Sequence, residues 1–403
     1  MKKLTKGIFA GIALSMAAFA FAPTVIPVTE AAAVQELPAP VIEKPAEIGK
    51  VKQISDYLFV IRYSDLKTDL MNLPETGLGS LFLFRGEGSA AKVPGCSAVV
   101  NGAYYGRNLD LNMARYPEFI VWVDGNKDRY ASMAVCIDVN VTPQMVKENK
   151  FPNKNAYHHG DSKMFWDMLP LMAFDGINEN GVACNINVVP NDVQNSKGTN
   201  PGKLPLKYAF VVRYLLDHAK TAADGVELLK KANIFEPERD LSEMHFMISD
   251  TKETYVLEIV DDQLRVVNNA KIMTNFYLSE PGYTKHSMGI ERWNILKAHY
   301  AEATSIEGMR HLMERVKYTK AYKEDTYPAW LSETYEGDIN TDTPEKEILN
   351  RIMPKRYEDY KNATRERSLD LWETVHTSVY DMKNKTLRIT QHEEYDKYFD
   401  FKL

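Results

Sequence analysis

Short apolar runs bounded by turn residues dominate the centre of the chain. The stretch Tyr57-Leu58-Phe59-Val60-Ile61-Arg62-Tyr63 reads as a strand, and strand patterns recur over residues 96–100, 118–123, 131–139 and 181–189. Residues 77–95 carry five glycines around the apolar Leu81-Phe82-Leu83-Phe84. Leu206, Phe210, Val211, Tyr214 and Leu215 have helical spacing, which predicts a helix over 206–219 and a second short one over 222–232. Two strands follow, 244–249 and 254–260, joined as a hairpin by Asp250-Thr251-Lys252-Glu253. Helical patterns return over 289–303 and 306–316, and a last hairpin pairs 373–380 with 385–390 around a turn at 381–384. There is no internal repeat and no coiled-coil heptad. Strands paired into hairpins, with helices in separate blocks, favour an α+β fold of layered antiparallel sheets over a doubly wound parallel one.

The first residues read as an address. Lys2, Lys3 and Lys6 precede an apolar run over 7–22, and small residues follow at Ala31, Ala32 and Ala33. That run is short for crossing ~30 Å of hydrocarbon, so an export signal over 1–33, removed near Ala33, is expected. No cysteine follows it to carry a lipid. The product is expected free of a stable membrane anchor, secreted or periplasmic. Residues 34–50, rich in Pro, Ala, Glu and Val, read as an extended linker, and 34–95 as a linker and prosegment before a domain over 96–403.

At 403 residues, 44% hydrophobic and 26% charged, the chain can fold as one large domain or two ordinary ones. A formal charge of −6 gives no cationic face for a phosphate backbone, which argues against a nucleic-acid partner. Three cysteines exclude a disulfide-rich scaffold, and none has zinc-knuckle spacing.

The chemistry concentrates around Gly95-Cys96-Ser97. A thiol attacks well only as thiolate, so a reactive cysteine needs a base or a cationic neighbour. A turn at Asn101-Gly102 returns the chain through Tyr104 and Tyr105 and brings Arg107 and Asp110 back beside Cys96. The alternative is an ordinary buried cysteine next to a structural Arg107–Asp110 ion pair. Cys136 and Cys184 lie in apolar runs and read as core residues; an oxidising compartment permits a disulfide between them without requiring one. His158-His159 near Asp161 reads as an exposed loop rather than a metal site, because adjacent residues on an extended strand point apart. The aromatic-rich stretch 318–335 is either an acyl pocket wall or packing for a surface loop.

The segment 95–110, with Cys96-Ser97 followed by Gly106-Arg107-Asn108-Leu109-Asp110, resembles the cysteine-headed N-terminal-nucleophile (Ntn) amidases: choloylglycine (bile salt) hydrolases, penicillin V acylases, acid ceramidase and N-acylethanolamine acid amidase. Further elements of the same family appear in order. Asp175-Gly176-Ile177-Asn178-Glu179-Asn180-Gly181-Val182 is followed by Asn187, then come Met273-Thr274-Asn275, Glu291-Arg292-Trp293 and Thr377-Ser378-Val379-Tyr380-Asp381.

The resemblance implies a four-layer αββα sandwich and an enzyme that hydrolyses a linear amide through a thioester, with no cofactor and no metal. It implies that Cys96 is the nucleophile and its own α-amino group, of pKa near ~8, the base. Asn275 is then the oxyanion donor and Asn187 a second, with Asn185 an alternative on the same strand face. Asp110 holds the amine, and Arg107 and Arg292 surround the thiolate. An amine locked in a peptide bond is no base, so the chain is expected to cut itself between Gly95 and Cys96. Whether the prosegment then leaves or stays packed is open. The long prosegment, and only sixteen residues between Asn275 and Arg292, place the chain nearer the ceramidase-like and acylethanolamine amidase branch. A bile salt or penicillin V acylase is the alternative. An acyltransferase using the same thioester and a non-catalytic secreted binding protein are others. The expected partner is a small N-acyl amide, and an even-numbered homo-oligomer is the family's habit.

Overall fold

The chain is seen in a computed structural model that describes residues 40–72, 95–112, 116–138, 141–151, 162–189, 198–235, 243–280, 289–318 and 372–403. The expected export signal, His158, His159, Asp161 and all of 319–335 lie outside the described residues.

Among the described residues two strands precede Cys96, β1 (Lys52–Gln53) and β2 (Leu58–Tyr63). The expected hairpin follows as β3 (Cys96–Asn101) and β4 (Tyr104–Asn112), with Gly102 supplying the left-handed φ of 57° in its turn. Next come β5 (Glu118–Val123), β6 (Ser132–Ile137), the short helices α1 (Pro143–Glu148) and α2 (Ser162–Met168), β7 (Ala173–Asn178) and β8 (Ala183–Val189). A small parallel pair, β9 (Leu204–Lys207) and β10 (Ala232–Phe235), brackets α3 (Val211–His218) and α4 (Ala222–Lys230). The helix expected from 206 thus starts at Val211. Leu206 instead pairs with Ile234 as strand, and Tyr208–Phe210 form a 3-10 turn. The antiparallel run β11 (Glu243–Ser249), β12 (Thr254–Val260) and β13 (Gln263–Asn268) leads to β14 (Ile272–Met273). Helices α5 (Ile290–Ala298) and α6 (Ile306–Arg315) follow, and β15 (Trp372–Asp381), β16 (Thr386–Gln391) and β17 (Phe399–Lys402) close the chain.

The strands form a nine-stranded sheet, β1-β2-β5-β6-β7-β8-β11-β12-β13, and a six-stranded sheet, β14-β3-β4-β15-β16-β17. Both are antiparallel except where β2 runs parallel to β5, because the chain leaves the large sheet after β2 and builds the β3–β4 hairpin in the other before returning. Alternation along each strand shows how the sheets stack. Ile120, Trp122, Met133, Val135 and Ile177 of the large sheet share one core with Ala98, Val100, Tyr105, Leu387 and Phe401 of the small one. The opposite positions of the large sheet, such as Phe119, Val121 and Cys184, pack on α2, α3 and α4. Val99 and Val379 on the far side of the small sheet pack on Met309, Leu312 and Met313 of α6 and on α5. The layers are α, β, β, α: an α+β four-layer αββα sandwich, as the resemblance implies.

On six strands, β4, β5, β7, β8, β15 and β16, the inner face carries polar residues at one end. Glu118, Asp175, Asn185, Asn187, Arg107, His376 and Gln391 all share strand parity with apolar residues of the inter-sheet core. That wedge of buried polarity surrounds Cys96. The segment before the cysteine is buried on both faces of the large sheet: Leu58 and Val60 lie in the inter-sheet core, whereas Phe59 and Ile61 face the helix layer, where Phe59 stacks on Phe119 with ring centroids 5.5 Å apart. Arg62 pairs with Asp124 at 2.8 Å, and Ile42 bridges to Phe401. Burying four such side chains stabilises the fold by roughly 1.5–3 kcal/mol each. Val60→Asp, which puts a carboxylate between the sheets, is expected to cost about 3 kcal/mol or more in a urea unfolding curve. Lys52→Asp on the exposed β1 is expected to stay within about 0.5 kcal/mol. Equal midpoints for the two variants would mean that β2 is not part of the core.

Candidate active site

The register of the β3–β4 hairpin sets Cys96 opposite Leu109, Ser97 opposite Asn108 and Ala98 opposite Arg107. Arg107 and Cys96 thus share the inter-sheet face, and the guanidinium reaches back so that Nη2 lies 4.0 Å from Sγ. Residues three apart on a strand face opposite ways, so Asp110 points to the helix side. Arg107 and Asp110 are therefore not each other's partner, as the structural alternative for this pair had it. Arg107 pairs with Asp175 of β7 at 3.3 Å, donates to the Ile186 carbonyl at 3.4 Å and meets His376 Nε2 at 2.9 Å through Nη1. Asp110 forms a buried ion pair with Arg292 of α5 and accepts from the Thr374 hydroxyl at 2.7 Å. A β-bulge between Thr374 and His376 lets one strand serve both faces: Thr374 reaches Asp110, and His376 reaches Arg107.

The peptide bond between Gly95 and Cys96 is held at both ends. The Gly95 carbonyl accepts from the Asp110 backbone N–H at 2.9 Å, and the Cys96 N–H donates to Asn275 Oδ1 at 2.9 Å. Arg292 Nη2 donates to the same Oδ1 at 2.6 Å, while Asn275 Nδ2 donates to the Val188 carbonyl at 2.7 Å. Two donors on one side and a carbonyl on the other fix the orientation of this amide. In the uncut chain its oxygen, not its nitrogen, faces the Gly95–Cys96 bond. Gly95 itself fits because it has no side chain. A Cβ there would lie 2.7 Å from Arg292 Nη1 and 2.8 Å from Asp110 Oδ2, inside any normal contact.

Asn187 stands one step back. Its Nδ2 donates to the Thr274 carbonyl at 3.3 Å and its Oδ1 accepts from Asn185 Nδ2 at 2.7 Å; Asn185 in turn accepts from the Tyr105 hydroxyl. Both asparagines face the inter-sheet core from β8. Cys136 and Cys184 sit on β6 and β8 with β7 between them, buried and unpaired, and desolvation pushes both thiols far up. Tyr318, the first residue of the aromatic stretch, is buried, and its N–H donates to Thr374 Oγ1 at 2.8 Å, just behind Asp110.

Burial raises the Cys96 thiol above its ordinary value, and Asp110 adds to this; Arg107 pulls the other way without cancelling it. The thiol of the uncut chain is therefore protonated at neutral pH and needs a base to become a nucleophile. Burial likewise holds the Asp110 carboxyl above the usual range, against the pull of Arg292 and Thr374. Asp175 goes the opposite way: desolvation is outweighed by Arg107, His376 and Tyr380, which hold it below the usual carboxylate range.

Asp175, Glu118, His376 and Thr374 are further neighbours of the site that pattern reading assigned no role. The available signal was a charged or polar residue at the inner-parity end of an otherwise buried strand. Glu118 heads the apolar β5, and His376 stands just before the Thr377–Asp381 motif. No group of three or more His, Cys, Asp or Glu able to hold a metal occurs among the described residues.

A family model described as linear amide C-N hydrolases, choloylglycine hydrolase family, matches residues 100–322, more than half of the chain. The match begins four residues after Cys96. Solved structures that resemble the chain include a variant of the conjugated bile acid hydrolase from Clostridium perfringens, 14% identical over 77% of this chain and 92% of that one, with a TM-score of 0.42. A second variant of that hydrolase gives 14% identity over 76% and 91%, with a TM-score of 0.39. The penicillin V acylase from Agrobacterium tumefaciens gives 14% over 74% and 82%, with a TM-score of 0.33. No curated protein matches.

Removing one member of the buried Asp110–Arg292 pair strands the other's charge. Asp110→Asn is expected to cost about 3–5 kcal/mol in denaturant unfolding. The double variant Asp110→Asn/Arg292→Gln is expected to lose less than the sum of the two single changes. Strict additivity would mean that the two side chains do not interact.

Proposed function

The chain belongs to the choloylglycine hydrolase family of linear amide C–N hydrolases, and from that premise we propose that it is an exported, self-cleaving amidase whose nucleophile is the thiol of Cys96. The observation that carries this reading is the Gly95–Cys96 bond, gripped at its carbonyl by the Asp110 N–H and at its nitrogen by Asn275 beside a thiol faced by Arg107. In self-cleavage the Cys96 sulfur attacks the Gly95 carbonyl carbon, and the oxyanion that forms stays on the Asp110 N–H. The thiol proton passes to the departing nitrogen, the C–N bond breaks, and a thioester with a free α-amine remains. Water then adds to the thioester, releasing the Gly95 carboxylate and regenerating the thiol.

The new amine lies where Asn275 Oδ1 already accepts from the Cys96 nitrogen. With a pKa near ~8 it can take the thiol proton that burial otherwise retains. Turnover repeats the same steps on an external amide: attack, loss of the amine, hydrolysis of the acyl thioester. Arg107 and Arg292 supply positive charge, and Asp110 holds Arg292 against Asn275. Asn275 Nδ2 serves as an oxyanion donor once it releases the Val188 carbonyl, with Asn187 as the second donor. One such donor is commonly worth ~10² to 10³ in rate.

The substrate in this reading is a linear amide between an apolar acyl group and a small amine or amino acid, N-acylethanolamine- or ceramide-like. The segment over residues 1–33 directs export and is removed. Residues 40–72 stay bound after the cut, a reading supported by the burial of β2 in the inter-sheet core.

The test is release of free amine from a panel of N-acyl amides of differing acyl chain, wild type against Cys96→Ala. Turnover by the wild type and none by Cys96→Ala is expected; an equally active Cys96→Ala variant would refute the assignment. Gly95→Ala is expected to slow the appearance of the two fragments on a denaturing gel at least tenfold, because the new methyl forces Arg292 and Asp110 apart. Cleavage at the wild-type rate would show that the ion pair does not confine this bond.

A further inference from the structure

His376 is fully buried between the sheets and touches charged groups from three other strands. Its Nδ1 is 2.9 Å from Glu118 Oε1 of β5, and its Nε2 is 3.0 Å from Asp175 Oδ2 of β7 and 2.9 Å from Arg107 Nη1 of β4. Glu118 Oε2 accepts from Gln391 Nε2 of β16, and Gln391 Oε1 accepts at 2.9 Å from the hydroxyl of Ser55, in the segment before Cys96. Asp175 Oδ1 accepts from the hydroxyl of Tyr380, on the same strand as His376. A continuous series of contacts thus runs from Ser55 through Gln391, Glu118, His376 and Arg107 to the Cys96 sulfur.

We propose that His376 is a positioning residue for the nucleophile: clamped by Glu118 and Asp175, its imidazole sets how Arg107 presents its charge to Cys96 Sγ. The reason lies in Nε2, which faces a donor and an acceptor at once and can satisfy only one. A neutral imidazole with its proton on Nδ1 accepts from Arg107 Nη1 and draws the guanidinium toward itself. A cationic imidazole donates from Nε2 to Asp175, withdraws that acceptor from Arg107 and adds a second positive charge behind it. The surroundings favour the cation. Burial alone lowers the imidazole, but Glu118 and Asp175 outweigh it and hold His376 above its ordinary value. Arg107 and His376 then face Asp175 and Glu118, two cations against two anions. That balance leaves the thiolate of Cys96 as the next anion for Arg107 to stabilise.

The inference rests on the reading of Cys96 as the nucleophile and is tested without any amide. Alkylation of Cys96 in the full-length chain by iodoacetamide is followed by mass spectrometry from pH 5 to pH 10, with buried Cys136 and Cys184 as internal references. Besides the inflections of the thiol and of the α-amine freed by the cut, the wild-type curve is expected to carry a further one where His376 loses its proton and alkylation becomes harder to drive. His376→Gln removes that inflection and slows alkylation at pH 7 about three- to tenfold, as expected for a thiol pKa raised by about half a unit to one unit. Gln391→Met, a milder change, leaves Glu118 one donor short and holding the imidazolium more strongly, so the inflection moves to higher pH. A folded His376→Gln chain with the wild-type curve overturns the proposal. If that variant does not fold, a Gln391→Met chain with the wild-type curve does so. Relay-dependent alkylation in a chain that turns over none of the acyl amides keeps this inference and removes the amidase reading.

Discussion

Two arginines are buried on opposite faces of one β-hairpin, and each needs its own carboxylate. Arg107 meets Asp175 across the gap between the sheets, and Arg292 meets Asp110 on the helix side. A guanidinium taken out of water costs several kcal/mol unless it is paired and hydrogen-bonded, so neither arginine can move without breaking the fold around it. Cys96 sits between these two fixed charges at the start of the hairpin. The four layers hold both pairs at once: β7 brings Asp175, α5 brings Arg292, and the bulge in β15 sends Thr374 to one pair and His376 to the other.

The same burial that fixes the charges disarms the thiol. The thiol of Cys96, a residue 2% exposed, is held above its ordinary pKa by burial and by Asp110, even with Arg107 nearby. A nucleophile in such a place needs a base that is itself buried and uncharged before the reaction, and a carboxylate or lysine inserted there would add another charge to pair. An α-amine made in place by breaking the chain satisfies that requirement. In the proposed reaction the hydrogen bonds of the Gly95–Cys96 amide would serve in turn, first for the peptide that is cut and afterwards for the amine that it leaves.

Much of this was legible in the residues. The hairpin through Asn101-Gly102 follows from turn chemistry, and the strands at 118–123, 181–189, 244–249 and 254–260 follow from short apolar runs bounded by turn residues. Helix α6 matches the helical pattern over 306–316, and the structure adds its cap: the Ser305 hydroxyl accepts from the Gly308 N–H at 3.0 Å. The helix at 206 was misplaced because Leu206 and Phe210 satisfy a helical period, while Leu206 is taken by strand pairing with Ile234, 28 residues on. The mutual pairing of Arg107 and Asp110 was open to correction from the pattern alone, since three residues along a strand reverse the face. His376 was not legible in this way. Its position depends on a bulge that changes the parity of β15, and its partners come from strands 201 and 258 residues away in sequence.

Everything in this account depends on the nitrogen of Cys96 becoming free. N-terminal sequencing of material shown to be fully active by titration of its reactive thiol addresses that point directly. The account requires a fragment that begins at Cys96, recovered in equal amount with one that ends at Gly95. Active material in which Cys96 remains joined to Gly95 would contradict it.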